Sequence, residues 1–361
     1  CALVGQPERR PSLEIKPFVV GRLSELSLLL NILMIYTTFG TLSFSKLQVL
    51  SSDPTTINKS DPLIINLIVA SFAIGVLGKL VELVLYVGSR RSGAVPFLTS
   101  VFSIIAGVST VYLIARLRNI FWLSPDLLAL LALAGALITF VSAMIVAVAR
   151  DHRHILASLS LSQLGYAVLA SGIGAFDLAI FHLLTYLISA ILLIAGIASV
   201  MISIGNCKSI FKLGGLRREF SSAHRACLVG GLSIIGLPGL AGFISLHKIA
   251  NQMFDFPVLG PYLLTISLAS IAVLSFGLLR LICAVFYGPS CNLGYSSGQS
   301  VAKSKSFDFT VLIMIALTVS IGYLGVRMPG VDGVHDKSLI ESYLQPLRDL
   351  PQLLDANVGY L

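Results

Sequence analysis

The sequence predicts an all-α fold, a polytopic bundle of membrane-spanning helices, on three observations. Hydrophobic residues make up 56% of the 361-residue chain and charged residues only 12%, about half the charged fraction of a soluble domain. The mean hydropathy is +0.91. Stretches of roughly 20 mostly apolar residues, the length that crosses a bilayer, recur with short polar joints between them. Backbone in lipid must bond to itself, so segments of that length are helices rather than strands.

Taken in order, the chain divides into a polar tail (1–17), a membrane domain of about nine helices (18–330) and a second polar tail (331–361). The first tail carries Glu8, Arg9, Arg10, Glu14 and Lys16 and lacks the apolar run of a signal peptide. The candidate spans are 18–38, 63–88, 95–117, 124–150, 154–174, 176–205, 222–253, 258–288 and 307–328. The span at 63–88 carries a lysine at its centre, that at 176–205 a histidine, and that at 222–253 a cluster of glycines around a proline. The second tail is punctuated by Pro346 and Pro351. Its apolar stretches are too short to cross.

Lysine and arginine set the orientation of such a protein. With sides numbered alternately, the N-terminal side holds fourteen of the 25 basic residues. The opposite side holds seven, and four lie within spans. This places the N-terminus inside and the C-terminus outside. The net charge of +8 then reflects retained loops, and no nucleic-acid partner is expected. The five cysteines are scattered, with no CxxC pair or His–Cys spacing, so neither a disulfide framework nor a metal site is expected. Phosphate-loop, dinucleotide and haem-ligand patterns are absent, and no cofactor is expected in this chain.

Ionisable groups at membrane depth carry the chemistry, because each costs several kcal/mol (order of magnitude) unless paired or wetted. Lys79 sits mid-span in IVASFAIGVLGKLVELVLYVG, with Glu82 three residues on and on the same helix face. The pair reads either as a structural ion pair or as a lysine poised to exchange a proton. His182, in AIFHLLTYLISAILLIAG, reads either as a packing residue or as a proton relay, with Tyr186 one turn later. In GLSIIGLPGLAGFISLHKIA, Gly236, Pro238, Gly239 and Gly242 should break the helix near 236–242. Unwound backbone at that depth belongs beside protein or a wet cavity. His247 and Lys248 follow it directly.

Several motifs resemble the antiporter-like membrane-arm subunits of respiratory complex I, and among them the subunit 5 type. Asp151 to Ala175, DHRHILASLSLSQLGYAVLASGIGA, is similar to the pattern of an Asp, two basic residues and I/V-L-A-Y-S-T-x-S-Q-L-G-Y. AIFHLLTYLISAILLIAGIASV resembles I-F-H-L-x-T-H-A-F-F-K-A-L-L-F-L-x-x-G-S-V. KLGGLRREF resembles K-M-G-G-L-R, and GLPGLAGFISLHK resembles G-x-P-x-x-A-G-F-x-S-K-D. FVVGRLSE, FGTLSF and GVLGK resemble three further motifs upstream, in the same order. The likeness runs from about Phe18 to Gly330. It implies an antiporter-like inverted-repeat fold. The first-channel lysine falls on Lys79, the second-channel histidine on His182, and an Arg–Asp pair on Arg22 and Glu25. His247 and Lys248 complete the proton-path candidates.

The departures are specific. The family's further histidines fall on Phe102 and Tyr186, its second-channel lysine on Ser189 and its final lysine on Leu246. K-S-A-Q-x-P becomes KLVELV, which puts a break in that helix in doubt. The family's span before Phe18 and its long lateral helix have no counterpart, so the chain resembles a fragment whose missing spans a second chain supplies. The resemblance implies proton translocation within NADH:ubiquinone oxidoreductase, with no redox centre in this chain. The implied partners are other membrane-arm subunits and lipids. The implied location is the mitochondrial inner membrane, with the N-terminus in the matrix and the C-terminus in the intermembrane space. The alternatives are a cation/proton antiporter or membrane-bound hydrogenase subunit, and a structural paralogue with a degraded channel.

Overall fold

A computed structural model describes residues 12–50, 61–89, 96–204, 209–289 and 305–325. Each predicted span has a helical counterpart. The helices are α1 (Ser12–Phe39), α2 (Phe44–Leu50), α3 (Pro62–Ser89), α4 (Pro96–Arg116), α5 (Arg118–Trp122) and α6 (Pro125–Val148). They continue as α7 (His152–Gly172), α8 (Phe176–Ile204), α9 (Ser221–Ile235), α10 (Ala241–Phe254), α11 (Gly260–Ile282) and α12 (Lys305–Leu324). Seven of them are long and apolar enough to cross a membrane unaided. α1 starts inside the stretch expected as a polar tail, whereas 331–361 lies outside the described residues.

α7 is the hub. Every residue from Ile155 to Gly172 is buried, so the helix is enclosed by α3, α4, α6 and α8. Its start is fixed by the Asp151 carboxylate, which accepts from the Arg153 backbone N–H at 3.0 Å. Gly135 and Ala132 on α6 lie against Gly165 and Gly172 on α7, and small residues let the two backbones approach closely. α8 packs beside α7 and carries α9, α10 and α12 on its far side. α1 forms one rim against α3, and α12 forms the other, with few buried residues in either span.

Two irregularities matter. α3 runs unbroken through Lys79 to Ser89, so the KLVELV sequence, which holds no proline, leaves this helix continuous. The glycine–proline segment does interrupt the next candidate. α9 ends at Ile235, Gly236 takes a left-handed conformation (φ 86°), and α10 starts at Ala241. A side chain at Gly236 would be strained at that φ. α11 ends in a π-helical turn, Cys283–Tyr287, which the sequence reading did not foresee.

Candidate functional site

The first cluster sits between α1 and α3. Lys79 lies within α3, ten residues or about 15 Å before its end at Ser89 at 1.5 Å per residue. Its ammonium donates to Glu82 Oε2 at 2.8 Å and, across the helix interface, to Glu25 Oε1 at 2.9 Å. Glu25 in turn accepts from Arg22 at 2.5 Å. Two cations and two carboxylates make the cluster neutral as a whole, so each charge is compensated at a depth where isolated ions are costly. Gly21 of α1 provides the room: a Cβ there would fall 2.2 Å from Glu82 Oε1. Lys79 is 28% exposed, Glu82 26%, Glu25 44% and Arg22 62%, so the cluster opens onto the flank of the described bundle. A lysine between two acceptors on different helices can pass a proton to one side and regain it from the other.

The second cluster is at the helix break and contains no ion pair among the described residues. His182 Nδ1 lies 3.1 Å from Ser245 Oγ, and Thr185 Oγ1 donates to the same Ser245 oxygen at 3.0 Å. Ser245 Oγ also reaches the Gly242 carbonyl at 3.1 Å. One turn further along α8, Ser189 Oγ and Ser233 Oγ are 2.7 Å apart. The Gly242 N–H points at Ser233 Oγ, 3.4 Å away. Gly242 is required by close approach, since a Cβ would lie 1.8 Å from the Ser233 carbonyl oxygen. All five side chains are buried. They fasten α8 to both halves of the interrupted helix.

His182 and Tyr186 also lie close to α7. The His182 imidazole lies against the Gln163 backbone, but its Nε2 makes no well-aligned hydrogen bond. The same holds for Gln163 Nε2 and for the Tyr186 hydroxyl, which lies near Ser160.

The other candidates are distributed unequally. The structure brings Arg22, Glu25, Lys79 and Glu82 together. It does not bring His247 to His182: His247 is exposed on the outer face of α10, stacked on Phe243 (5.7 Å between centroids, 7° between planes) and 3.2 Å from Asn251. Lys248 is half-buried on the same helix, and Leu246 is buried. The side chain of Phe102 lies outside the described residues. The sequence reading missed Ser233 and Ser245. Their position on either side of the glycine–proline break was the available signal.

Long apolar helices, a helix interrupted at a glycine–proline segment and a lysine held between two carboxylates define a polytopic helical membrane protein. The chain matches the family described as NADH:quinone oxidoreductase/Mrp antiporter, TM, over residues 3–274, and it belongs to that family. It is similar to NADH-quinone oxidoreductase subunit L of Buchnera aphidicola subsp. Schizaphis graminum, 30% identical over 321 residues, or 88% of this chain and 51% of that one. It is also similar to NADH-ubiquinone oxidoreductase chain 5 of Arabidopsis thaliana, 26% identical over 325 residues, 87% of this chain and 48% of that one. The fold matches a chain of the respiratory complex I of Thermus thermophilus with a TM-score of 0.71 at 17% identity, covering 94% of this chain and 70% of that one. The chain thus spans about half the length of the two relatives.

Proposed function

We propose that this chain is a proton-translocating membrane-arm subunit of an NADH:quinone oxidoreductase of the complex I type. Lys79, held between Glu25 and Glu82 on two adjoining helices, carries this reading. The relatives' names support a place in such an enzyme complex. In this reading Lys79 takes up and releases the proton, and the two glutamates hold it before and after transfer. Arg22 holds the far oxygen of Glu25. NADH oxidation occurs elsewhere in the complex, and other membrane-arm subunits and lipids are the partners. A second chain covering the Arg22–Glu25 flank fits the exposure of that cluster. The fourteen-to-seven distribution of basic residues supports an N-terminus on the matrix side of the mitochondrial inner membrane, with the C-terminus opposite.

Replacing Lys79 with Met tests the proposal. The assembled complex should oxidise NADH yet move fewer protons per electron. An unchanged ratio would make Lys79 a structural residue.

A second reading concerns the helix break alone. Tyr186, Ser189 and Leu246 stand where the family carries His and Lys, and hydroxyl groups replace charge carriers around His182. This favours a second half that braces the bundle while the first half conducts.

A further inference from the structure

We infer that the face built from the Leu213–Phe220 turn, the start of α9 and the π-helical end of α11 is a headgroup site for an anionic phospholipid. This inference rests on the chain being a membrane protein and is independent of what it translocates.

Three arginines lie on these elements, all exposed. Arg217 lies over the ring of Tyr287, 5.1 Å from its centroid, and its backbone N–H donates to the Phe286 carbonyl at 3.3 Å. The turn is therefore pinned to the π-helical segment at both backbone and side chain. Tyr287 is itself fixed, its hydroxyl 3.1 Å from His224 Nε2 and its ring edge-on to the imidazole. His224 is buried beneath it and also packs edge-on against Phe286. Arg218 and Arg225 are exposed beside this platform. Arg225 reaches Ser222 and, at 3.9 Å, Asp308. Arg218 enters no ion pair among the described residues.

The same surface continues towards α6. Arg280 lies over Phe211 and donates to the Val146 and Ala149 carbonyls at the end of that helix, with Arg150 close by. Against these five arginines the described part of the face offers Asp151, Glu219 and Asp308. The excess is positive, as an anionic headgroup requires.

The apolar half of the site separates a lipid from a free phosphate. Phe276, Leu279, Cys283 and Tyr287 follow one another at helical spacing along α11, and all are exposed. They form a strip leading from the arginines into the depth of the membrane. A phosphodiester held by paired guanidinium groups would lay its acyl chain along that strip. Arginine suits the task because its planar fork binds phosphate oxygens bidentately while its face stacks on an aromatic ring.

The test uses the protein purified from its native membrane together with the chains that accompany it. After exchange into nanodiscs of phosphatidylcholine, labelled phosphatidylglycerol is titrated back and its binding is read. At about 1 kcal/mol per basic residue near the surface, each arginine lost should weaken binding roughly fivefold. The Arg217→Gln, Arg218→Gln double variant should then bind about 25-fold more weakly. Tyr287→Leu should weaken binding as well, and Tyr287→Phe, which keeps the ring, should weaken it less. If the double variant fails to assemble, Arg218→Gln alone gives the reading, because that side chain is exposed and meets no carboxylate among the described residues. Equal binding by wild type and variants overturns the inference. So does displacement of the lipid by inorganic phosphate, or loss of an accompanying chain from the double variant with lipid binding unchanged.

Discussion

Lys79 on α3 and Glu25 on α1 form an ion pair across the helix interface, with the ammonium 2.9 Å from Oε1. The pair joins a rim helix to the rest of the bundle through charge rather than through packing alone. It also gives Lys79 a second acceptor besides Glu82, one that belongs to a different helix. A proton leaving the lysine therefore has two possible destinations.

That arrangement predicts non-additive mutants. Glu25→Gln and Glu82→Gln each leave Lys79 one carboxylate, so each should lower proton-to-electron stoichiometry only partly. The double variant strands the ammonium and should fall at least as far as Lys79→Met. The three side chains act as one unit, and coupling energies between contacting charges are of order 0.5–3 kcal/mol. Proton uptake by vesicles carrying the assembled complex measures it. Simple addition of the two single effects would show that the carboxylates act separately.

Gly21→Ala addresses the same cluster without touching a charge. The new methyl falls on the end of the Glu82 side chain, which is flexible and can move aside. The expected result is normal assembly with a loss of pumping comparable to Glu82→Gln. A variant indistinguishable from wild type would mean that Glu82 need not stay over Gly21.

How much of this was legible beforehand follows from the residues. Apolar run length gave the spans, since lipid enforces helix on any segment that long. Gly236 and Pro238 announced the break because both act on the backbone locally. Glu82 could be paired with Lys79 from helical spacing alone. Glu25 could not, because 54 residues separate it from Lys79 and only the packing of α1 on α3 sets its distance. The outward aim of His247 was equally hidden. Its neighbour Ser245, two positions earlier, occupies the inward face of α10, and which face turns inward depends on where the break ends.

The break itself supports a prediction of stability. Gly242→Ala would drive a Cβ into the Ser233 backbone carbonyl, which cannot swing away as a side chain can. Overpacking of this kind costs about 1–3 kcal/mol. The variant should show a lowered thermal midpoint for the purified protein and reduced assembly in the membrane. An unchanged midpoint would mean that α9 and α10 can separate freely at this point.

The clasp at His182 separates conduction from bracing. His182, Thr185, Ser189, Ser233 and Ser245 are buried together, and the groups hydrogen-bonded to the imidazole and its neighbours are hydroxyls and backbone. A hydroxyl can hand a proton along, but it cannot store a charge at neutral pH as imidazole or ammonium can. Ser245→Ala removes the Nδ1 partner and, at about 1 kcal/mol for a typical hydrogen bond, should cost some stability. His182→Gln keeps a polar side chain but abolishes the only imidazole among the described residues of the clasp. If this half only braces the bundle, both variants lower the thermal midpoint and leave protons per electron unchanged, in contrast to Lys79→Met. If His182 conducts, His182→Gln lowers the ratio while Ser245→Ala lowers it less. The residues now standing at the family's charged positions, Tyr186, Ser189 and Leu246, favour the first outcome. Measuring both ratios in one vesicle preparation decides between them.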